Sequence, residues 1–370
     1  MKILQVSRQF HPCIGGIENV IYGLAQGLRE RGHETTVVAL DRLFTEPGRR
    51  LGPVDDCDGI PIRRVHGWGS QRYCVAPGVL RFVREFDLVH LHSSDFFLDC
   101  LALTRFWHRK PLVLTTHGLF FHSQFARRAK ELYFKTATRL ALTQVDAVTC
   151  ISEKDRALIA QVTPAEKLVP IPNGVDLRPF AGPETERTPL LFVAVGRLAV
   201  NKRHERLVRA FAPVAARWPE ARLLIAGPDW GERAGIERLI AELGLAGQVT
   251  LVGEMSRADL RALLQRADFW LSASEYESFG VALVEAMAAG CLPVVQPIPS
   301  FVEILADVPG ALTADFADPT AASAVLLRAA ESRAALQPMR ATVRQSAAKY
   351  SEEIAVDRTV ALYERVLARQ

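Results

Sequence analysis

Residues 267–290 read ADFWLSASEYESFGVALVEAMAAG. The first six, Ala267 to Ser272, are mostly apolar and read as a short buried strand. Small and polar residues follow, and Ser278-Phe279-Gly280 signals a turn. The remainder is strongly helix-forming, with Val281, Leu283, Val284, Met287 and Ala288 recurring at helical spacing. The stretch is therefore strand, loop, helix, with the helix start near Ser278–Val281. The first N–H groups of a helix have no partner inside it and carry the positive end of its dipole, which suits a phosphate. Two carboxylates bracket that start. Glu277 lies at its mouth, and Glu285 lies eight residues on, about two turns along. A hydrophobic core accounts for neither.

The same rhythm runs outward in both directions. Lys2–Ser7, Glu34–Leu40, Asp87–His92, Leu112–Thr116 and Ala147–Ile151 read as strands. Amphipathic helices such as Glu18–Arg31 and Arg127–Leu142 separate them. Val169-Pro170-Ile171-Pro172-Asn173-Gly174 interrupts, because two prolines and an Asn-Gly make a stiff and then turning connector. Alternation restarts with Leu190–Val195, Arg222–Ala226, Val249–Val252, Phe269–Ser272 and Leu292–Val295. Alternating strands and helices predict an α/β protein of two Rossmann-like, doubly wound domains facing a cleft, residues 1–172 and 173–350. Ligands are then expected at the carboxyl ends of the strands. The closing segment, residues 351–370, is an amphipathic helix; the sequence leaves open whether it crosses back onto the first domain.

Composition narrows the function classes. The 370 residues suffice for two cores. Residues 1–172 carry 23 Lys and Arg against 17 Asp and Glu, so the basic surplus lies in the first half and points to an anionic partner or membrane surface. The six cysteines form no C-x-x-C pair, which argues against zinc ribbons and thioredoxin-like chemistry, and Cys100, Cys150 and Cys291 read as buried thiols of a reducing compartment. The MKILQVS start enters a strand directly, with no signal-peptide pattern, and no apolar run is long enough to span a bilayer. Neither a G-x-G-x-x-G nor a P-loop is present, which argues against a dehydrogenase or an NTPase.

Several constellations could carry chemistry. Gly15-Gly16, between the first strand and first helix, permits close backbone approach to a ligand or simply a tight turn. His90 and His92 alternate along one strand and so share a face. With His117 and His122 they suggest a metal cluster, but no carboxylate or thiol completes a ligand set at recognisable spacing. The better reading is a single His117, at a strand end, bonding to substrate, with His90 in the core. Gly196-Arg197 and Lys202 follow the first strand of the second domain, where Arg supplies a planar fork and Lys a point charge for one diphosphate. Asp56-Cys57-Asp58 imitates a metal-binding D-x-D, yet reads as a plain loop. From Arg105 to Arg139 eight basic residues face one acid, Glu131, with Phe106, Trp107, Phe120, Phe121, Phe125, Tyr133 and Phe134 interleaved. Such a segment suits an anionic membrane surface, or a helix with a core face and a solvated basic face. No nucleic-acid motif supports a nucleic-acid partner.

Together these stretches resemble the retaining GT-B glycosyltransferases of group 1 and family 4. The motifs are Gly15-Gly16-Ile17-Glu18, Thr116-His117-Gly118, Ile151-Ser152-Glu153, Pro172-Asn173-Gly174-Val175-Asp176, Gly196-Arg197 with Lys202, Ala226-Gly227, and Glu277 with Glu285. They span nearly the whole chain. Within the first domain, Val6 to Pro12, Leu40 to Pro47, Ser70 to Tyr73, His90-Leu91-His92 and His117 to His122 are similar to the bacterial mannosyltransferases of xanthan and acetan assembly. That resemblance implies transfer of α-mannose from GDP-mannose onto a cellobiosyl-diphosphopolyprenol-like lipid in exopolysaccharide biosynthesis. It also implies an acceptor-binding first domain, a donor-binding second domain and a peripheral place on the inner face of the cell membrane.

The resemblance further implies a role for each matching residue. Arg197 and Lys202 hold the donor diphosphate as charge develops on it, helped by backbone N–H groups near Phe279, Gly280 and Val281. Glu285 binds ribose hydroxyls and Glu277 hydroxyls of the donor sugar. His117 lies against that sugar and its phosphate, and Gly15 and Gly16 let a loop approach the diphosphate. Neither a metal nor another cofactor is expected. Glu277 and Glu285 are not the acid and nucleophile of a glycosidase. Ser278 stands where the family often has Gly, and Pro297 to Glu303 where a glycine-rich turn is common.

Overall fold

The computed structural model describes residues 1–13, 15–44, 46, 48–71, 73–118, 127–181 and 186–369. The chain divides into two compact units. Unit 1 is Met1–Val175 with Glu352–Gln370, and unit 2 is Asp176–Ser351. The division falls three residues beyond the expected one because Gly174 and Val175 pack with the closing helix. A β-carbon on Gly174 would stand 2.8 Å from Glu352 Cα, and the Glu352 N–H donates to the Val175 carbonyl at 2.9 Å.

Unit 1 contains the strands β1 (Lys2–Val6), β2 (Glu34–Leu40), β3 (Val54–Cys57), β4 (Ile60–Val65), β5 (Trp68–Gly69), β6 (Cys74–Val75), β7 (Leu88–His92), β8 (Leu112–Thr115), β9 (Ala147–Cys150) and β10 (Leu168–Pro170). Among the described residues, eight of them form one sheet in the order β10-β9-β8-β7-β1-β2-β4-β3; β5 and β6 form a separate ribbon. Only β3 runs antiparallel, against β4. The central strands are buried on both faces because helices cover both, though they also carry the buried polar side chains Gln5, His90, His92, Thr115 and Thr149. The closing helix, Glu352–Leu367, buries Val356, Leu362, Tyr363 and Val366 against Ile3, Leu88 and Val113 of that sheet. Full burial of each such side chain stabilises by about 1.5–3 kcal/mol.

Unit 2 contains β11 (Leu191–Val195), β12 (Arg222–Ala226), β13 (Val249–Gly253), β14 (Phe269–Ser272), β15 (Leu292–Val295) and β16 (Leu312–Thr313). Its order, among the described residues, is β13-β12-β11-β14-β15-β16, all parallel. The chain moves outward from β11 to β13, then returns to β14 on the other side. This places a topological switch point between β11 and β14. In unit 1 the corresponding point lies between β1 and β7.

The strands read from the sequence are present, and Glu34–Leu40, Arg222–Ala226, Phe269–Ser272 and Leu292–Val295 match residue for residue. Asp56-Cys57-Asp58 is a correction. It is no plain loop but the end of β3 and the turn into β4. Asp58 (φ +51°) and Gly59 (φ +80°) are both left-handed, the geometry an Asp-Gly hairpin adopts. The Asp56 carboxylate accepts from the Gly59 N–H at 2.7 Å. Cys100 is only half-buried, whereas Cys74 is buried, as are Cys150 and Cys291.

Candidate active site

The unit 2 switch point gathers the residues singled out there. The loop after β11 passes Gly196 and Arg197, makes a short 3-10 turn at Val200–Lys202, and enters the helix His204–Arg217. The loop after β14 carries Glu275 to Gly280 into the helix Val281–Ala288. A Glu275 N–H bond to the Asn201 carbonyl, 3.0 Å, ties the two loops together. Lys202 Nζ then meets Glu277 Oε1 at 2.5 Å, with both side chains largely buried. The Ser274 hydroxyl donates to the same carboxylate oxygen at 2.9 Å. Sequence reading put these two side chains on different parts of one ligand. The fold also makes them partners.

The helix start behaves as its sequence indicates. Gly280 caps it at φ +126° with no side-chain hydrogen bond, so the first N–H groups lack a capping side chain. A β-carbon at Gly280 would meet Phe301 at 3.0 Å, which, with the positive φ, restricts this position to glycine. Phe279 is buried and packs edge-on against Tyr350; its side chain is core, and only its backbone serves the site. Gly227, after β12, is held to glycine by a different contact. A β-carbon there would stand 2.0 Å from the Gly196 carbonyl oxygen.

Glu285 is four residues past Val281, one turn into the helix and not two, because the loop holds Glu277 outside it. Desolvation pushes its carboxyl up to about 7, against a lowering by Arg257 and a further rise from Asp176. Among the described residues its carboxyl makes no hydrogen bond. The Arg197 guanidinium stacks over the Trp230 ring at 4.2 Å, a cation–π contact. Arg203 instead faces Glu275 at 3.0 Å. The His204 ring, held neutral by burial, bonds to the Arg197 carbonyl at 3.2 Å and braces that loop.

In unit 1, Gly15 is the extended cap of the helix Gly16–Glu30. A β-carbon on Gly16 would meet nothing within 4 Å, whereas one on Gly15 would press on Glu18 at 2.4 Å. His117 lies just past β8, buried, with φ +50°, a conformation uncommon for a non-glycine residue. His90 and His92 are both buried and share a face, their ring centroids 4.3 Å apart. Their nitrogens are engaged: His90 by Tyr363 and Thr115, His92 by Gln5 and His117. A protein hydrogen-bond network thus occupies the positions a metal cluster would need, and among the described residues no group of three His, Cys, Asp or Glu is placed to hold a metal ion.

The basic segment divides. Arg105 forks onto Asp146 at 2.7 and 3.0 Å, and Arg84 stacks on Trp107 at 4.0 Å. Both lie where the chain enters β8 and β9, at the amino ends of the strands. The helix after β8, by contrast, exposes Arg128, Leu132, Lys135, Arg139 and Leu140 along one stripe. A π turn at Phe134–Thr138 shifts its register, and Phe134 packs inward. Phe120, Phe121, His122, Phe125 and the Arg127 side chain lie outside the described residues.

Sequence reading missed Ser274, Trp230, His204, Gln5 and Tyr363. Ser274 had a local signal, three residues before Glu277. His204 stands only seven residues from Arg197, whereas the contacts of Trp230, Gln5 and Tyr363 bridge elements far apart in the chain, Tyr363 reaching His90 across 273 positions.

Two family profiles match, Glycosyltransferase Family 4 over residues 14–178 and Glycosyl transferases group 1 over residues 180–350. The chain is 41% identical over 309 residues to a protein of Xanthomonas oryzae pv. oryzae named GDP-mannose:cellobiosyl-diphosphopolyprenol alpha-mannosyltransferase, covering 83% of this chain and 81% of that one. It is 35% identical over 376 residues to a protein of the same name from Komagataeibacter xylinus, covering 100% and 94%. A glycosyltransferase structure from Rickettsia africae aligns with TM-score 0.80 at 19% identity over 100% of this chain and 99% of that chain, a likeness of fold. That fold is GT-B, with two Rossmann-like domains.

Proposed function

We propose, on the premise that this chain belongs to the glycosyltransferase family 4 and group 1 proteins and is a hexosyltransferase of that family, that it moves α-mannose from GDP-mannose onto a cellobiosyl-diphosphopolyprenol-like lipid with retention of configuration. The observation that carries the substrate reading is 35–41% identity, over most of the chain, to proteins bearing that name. The Lys202–Glu277 pair beside an uncapped helix start supports the donor class. A sugar nucleotide offers a diphosphate to the ammonium and the helix N–H groups, and hydroxyls to the carboxylate. Arg197 leaves Trp230 to share the diphosphate, and Glu285 takes the ribose hydroxyls. From unit 1, His117 contacts the donor sugar, and Gly15 and Gly16 give the diphosphate room.

The acceptor hydroxyl oxygen bonds to the anomeric carbon as the bond from that carbon to the phosphate oxygen breaks. GDP departs with the electron pair, and its phosphate oxygen takes the acceptor proton on the same face. Lys202, Arg197 and the helix start oppose the charge on the leaving diphosphate, so the reading requires no metal. Incubation with GDP-mannose and a synthetic cellobiosyl-diphospholipid is expected to give an α-mannosylated lipid, with or without a chelator. Transfer from a UDP-sugar but not from GDP-mannose would overturn the donor assignment.

Glu285 sets a pH dependence. A carboxyl that titrates near 7 is neutral below that value and becomes a full double acceptor above it. Donor affinity is expected to rise as pH increases through about 7, and Glu285→Gln to flatten the profile; a wild-type Kd unchanged across that range would remove Glu285 from the ribose. The stability linkage runs the other way. Because the folded carboxyl holds its proton more tightly than the unfolded one, its contribution is full below the unfolded value and is lost as pH rises through about 7.

No described helix is long and apolar enough to cross a membrane. We place the protein peripherally on the inner membrane face, in exopolysaccharide assembly, through the helix after β8. Its first turns lie at the carboxyl end of the sheet, where His117 stands, and its exposed stripe mixes Arg128, Lys135 and Arg139 with Leu132 and Leu140. Each basic residue near an anionic surface contributes about 1 kcal/mol. Reversing all three to Glu is expected to weaken sedimentation with anionic vesicles by at least roughly 100-fold; unchanged sedimentation would return the stripe to a solvated face.

A further inference from the structure

Behind His117 a chain of buried polar contacts crosses the unit 1 sheet and reaches the closing helix. Thr149 Oγ1 donates to the Leu114 carbonyl at 3.4 Å. Thr115 and Thr149 share a short hydroxyl contact. Thr115 Oγ1 lies 2.7 Å from His90 Nε2, and His90 Nδ1 lies 2.6 Å from the Tyr363 hydroxyl. Gln5 Nε2 donates to that hydroxyl at 3.4 Å, and Gln5 Oε1 lies 2.6 Å from His92 Nε2. His92 Nδ1 lies 2.9 Å from His117 Nε2. His117 Nδ1 is buried and makes no direct hydrogen bond, and the neighbouring Asn173 side chain favours the protonated ring against the larger effect of burial.

A carbonyl oxygen only accepts, and that decides the sense of the chain. Thr149 donates to Leu114, so Thr115 donates to Thr149, and His90 must donate from Nε2. Its Nδ1 therefore accepts from Tyr363, whose oxygen accepts from the Gln5 amide. Gln5 then presents its carbonyl to His92, which donates from Nε2 and accepts at Nδ1. His117 donates from Nε2 and is left with a bare lone pair at Nδ1. In the opposite sense the Thr149 bond to Leu114 is lost, leaving that carbonyl without this donor. Burial keeps the rings neutral, His90 pushed down to about 3 and His117 to about 4, so each carries one N–H.

We infer that Gln5, His90, His92 and Tyr363 are positioning residues that hold His117 as a hydrogen-bond acceptor at Nδ1, presented to a ligand hydroxyl. The closing helix thus contributes more than packing: its Tyr363 sets a proton position in the site. The hydroxyl partner rests on the reading of His117 as a donor-sugar contact; the tautomer does not.

Long-range proton–nitrogen correlations on the unliganded protein, labelled with 15N-histidine, test the tautomer directly. A protonated Nε2 and a bare Nδ1 at His117 are expected, and a proton on Nδ1 overturns the inference. Tyr363→Phe and Gln5→Leu are expected to convert that pattern to a mixture of both tautomers. Gln5→Glu keeps an acceptor toward His92 and is expected to restore it. An unaltered His117 pattern in both Tyr363→Phe and Gln5→Leu would reduce these residues to packing. With donor analogues each lacking one hydroxyl, wild type is expected to lose rate most on one analogue, and Tyr363→Phe to shrink that loss by about 10-fold. A correct tautomer with no discrimination among analogues would leave the relay standing and sink the sugar contact instead.

Discussion

Lys202→Ala is expected to lower kcat by about 10²- to 10³-fold, the effect of removing one preorganised stabiliser of developing charge. The structure makes this position more sensitive than a lone phosphate ligand. Lys202 Nζ sits 2.5 Å from Glu277 Oε1, so its removal leaves a carboxylate facing the site of the diphosphate. Loss of attraction is then joined by repulsion. Lys202→Ala with Glu277→Ala together should therefore lose less than the two singles added, because the pair is coupled. Arg203→Ala is the control. Its guanidinium is turned onto Glu275, and a rate within about 10-fold of wild type is expected. Equal losses at Lys202 and Arg203 would show that the wrong cation has been placed on the phosphate. Steady-state kinetics with saturating acceptor separates these outcomes.

The largest effect on stability is expected at Arg340. Its side chain and that of Asp268 are 3% and 2% exposed and paired at 2.7 Å. Arg340 also donates to the carbonyls of Asp268 and Gly290, at 2.9 and 3.0 Å. It thereby ties the helix Met339–Ala347 to the strand that leads into the Glu275–Gly280 loop. Asp268 accepts from the Leu190 N–H at 2.9 Å as well. Removing one partner of such a pair leaves a buried charge uncompensated, which costs about 3–5 kcal/mol. Arg340→Leu is expected to lower the urea midpoint of unit 2 accordingly, followed through the buried indole of Trp270, two residues along from Asp268. Arg340→Leu with Asp268→Leu should recover much of the loss, since an apolar pair carries no stranded charge. A single variant as stable as wild type would show that Arg333, 3.7 Å from the same carboxylate, is sufficient by itself.

The β11 and β14 loops show how much could be read in advance. Each is local: a strand, a few small or charged residues, and a helix start, all within a short span. Helical and strand periods are written in consecutive residues, so Arg197, Lys202, Glu277, Gly280 and Glu285 could be named with their elements. The β3–β4 hairpin carries its signal in Asp58-Gly59, although the stretch around Asp56-Cys57-Asp58 reads from sequence only as a plain loop. The two-unit plan followed from strands alternating with helices and from one proline-rich break, since parallel strands need crossover helices and a connector cannot continue either.

The contacts that give those residues their chemistry were not legible. No pattern in the chain announces that Lys202 and Glu277 are partners, that Arg197 rests on Trp230, or that Tyr363 hydrogen-bonds His90. Each depends on strand order and on which elements the sheets bring side by side. Burial is likewise a property of the assembled unit. Glu285 shifts to about 7 because the helix carrying it is packed into a low-dielectric setting. The chain thus spelled out its elements and many of its charged side chains through local periodicity. Tertiary packing decided their pairing, their protonation and the sense of the hydrogen bonds behind His117, because those depend on distances between residues far apart in sequence.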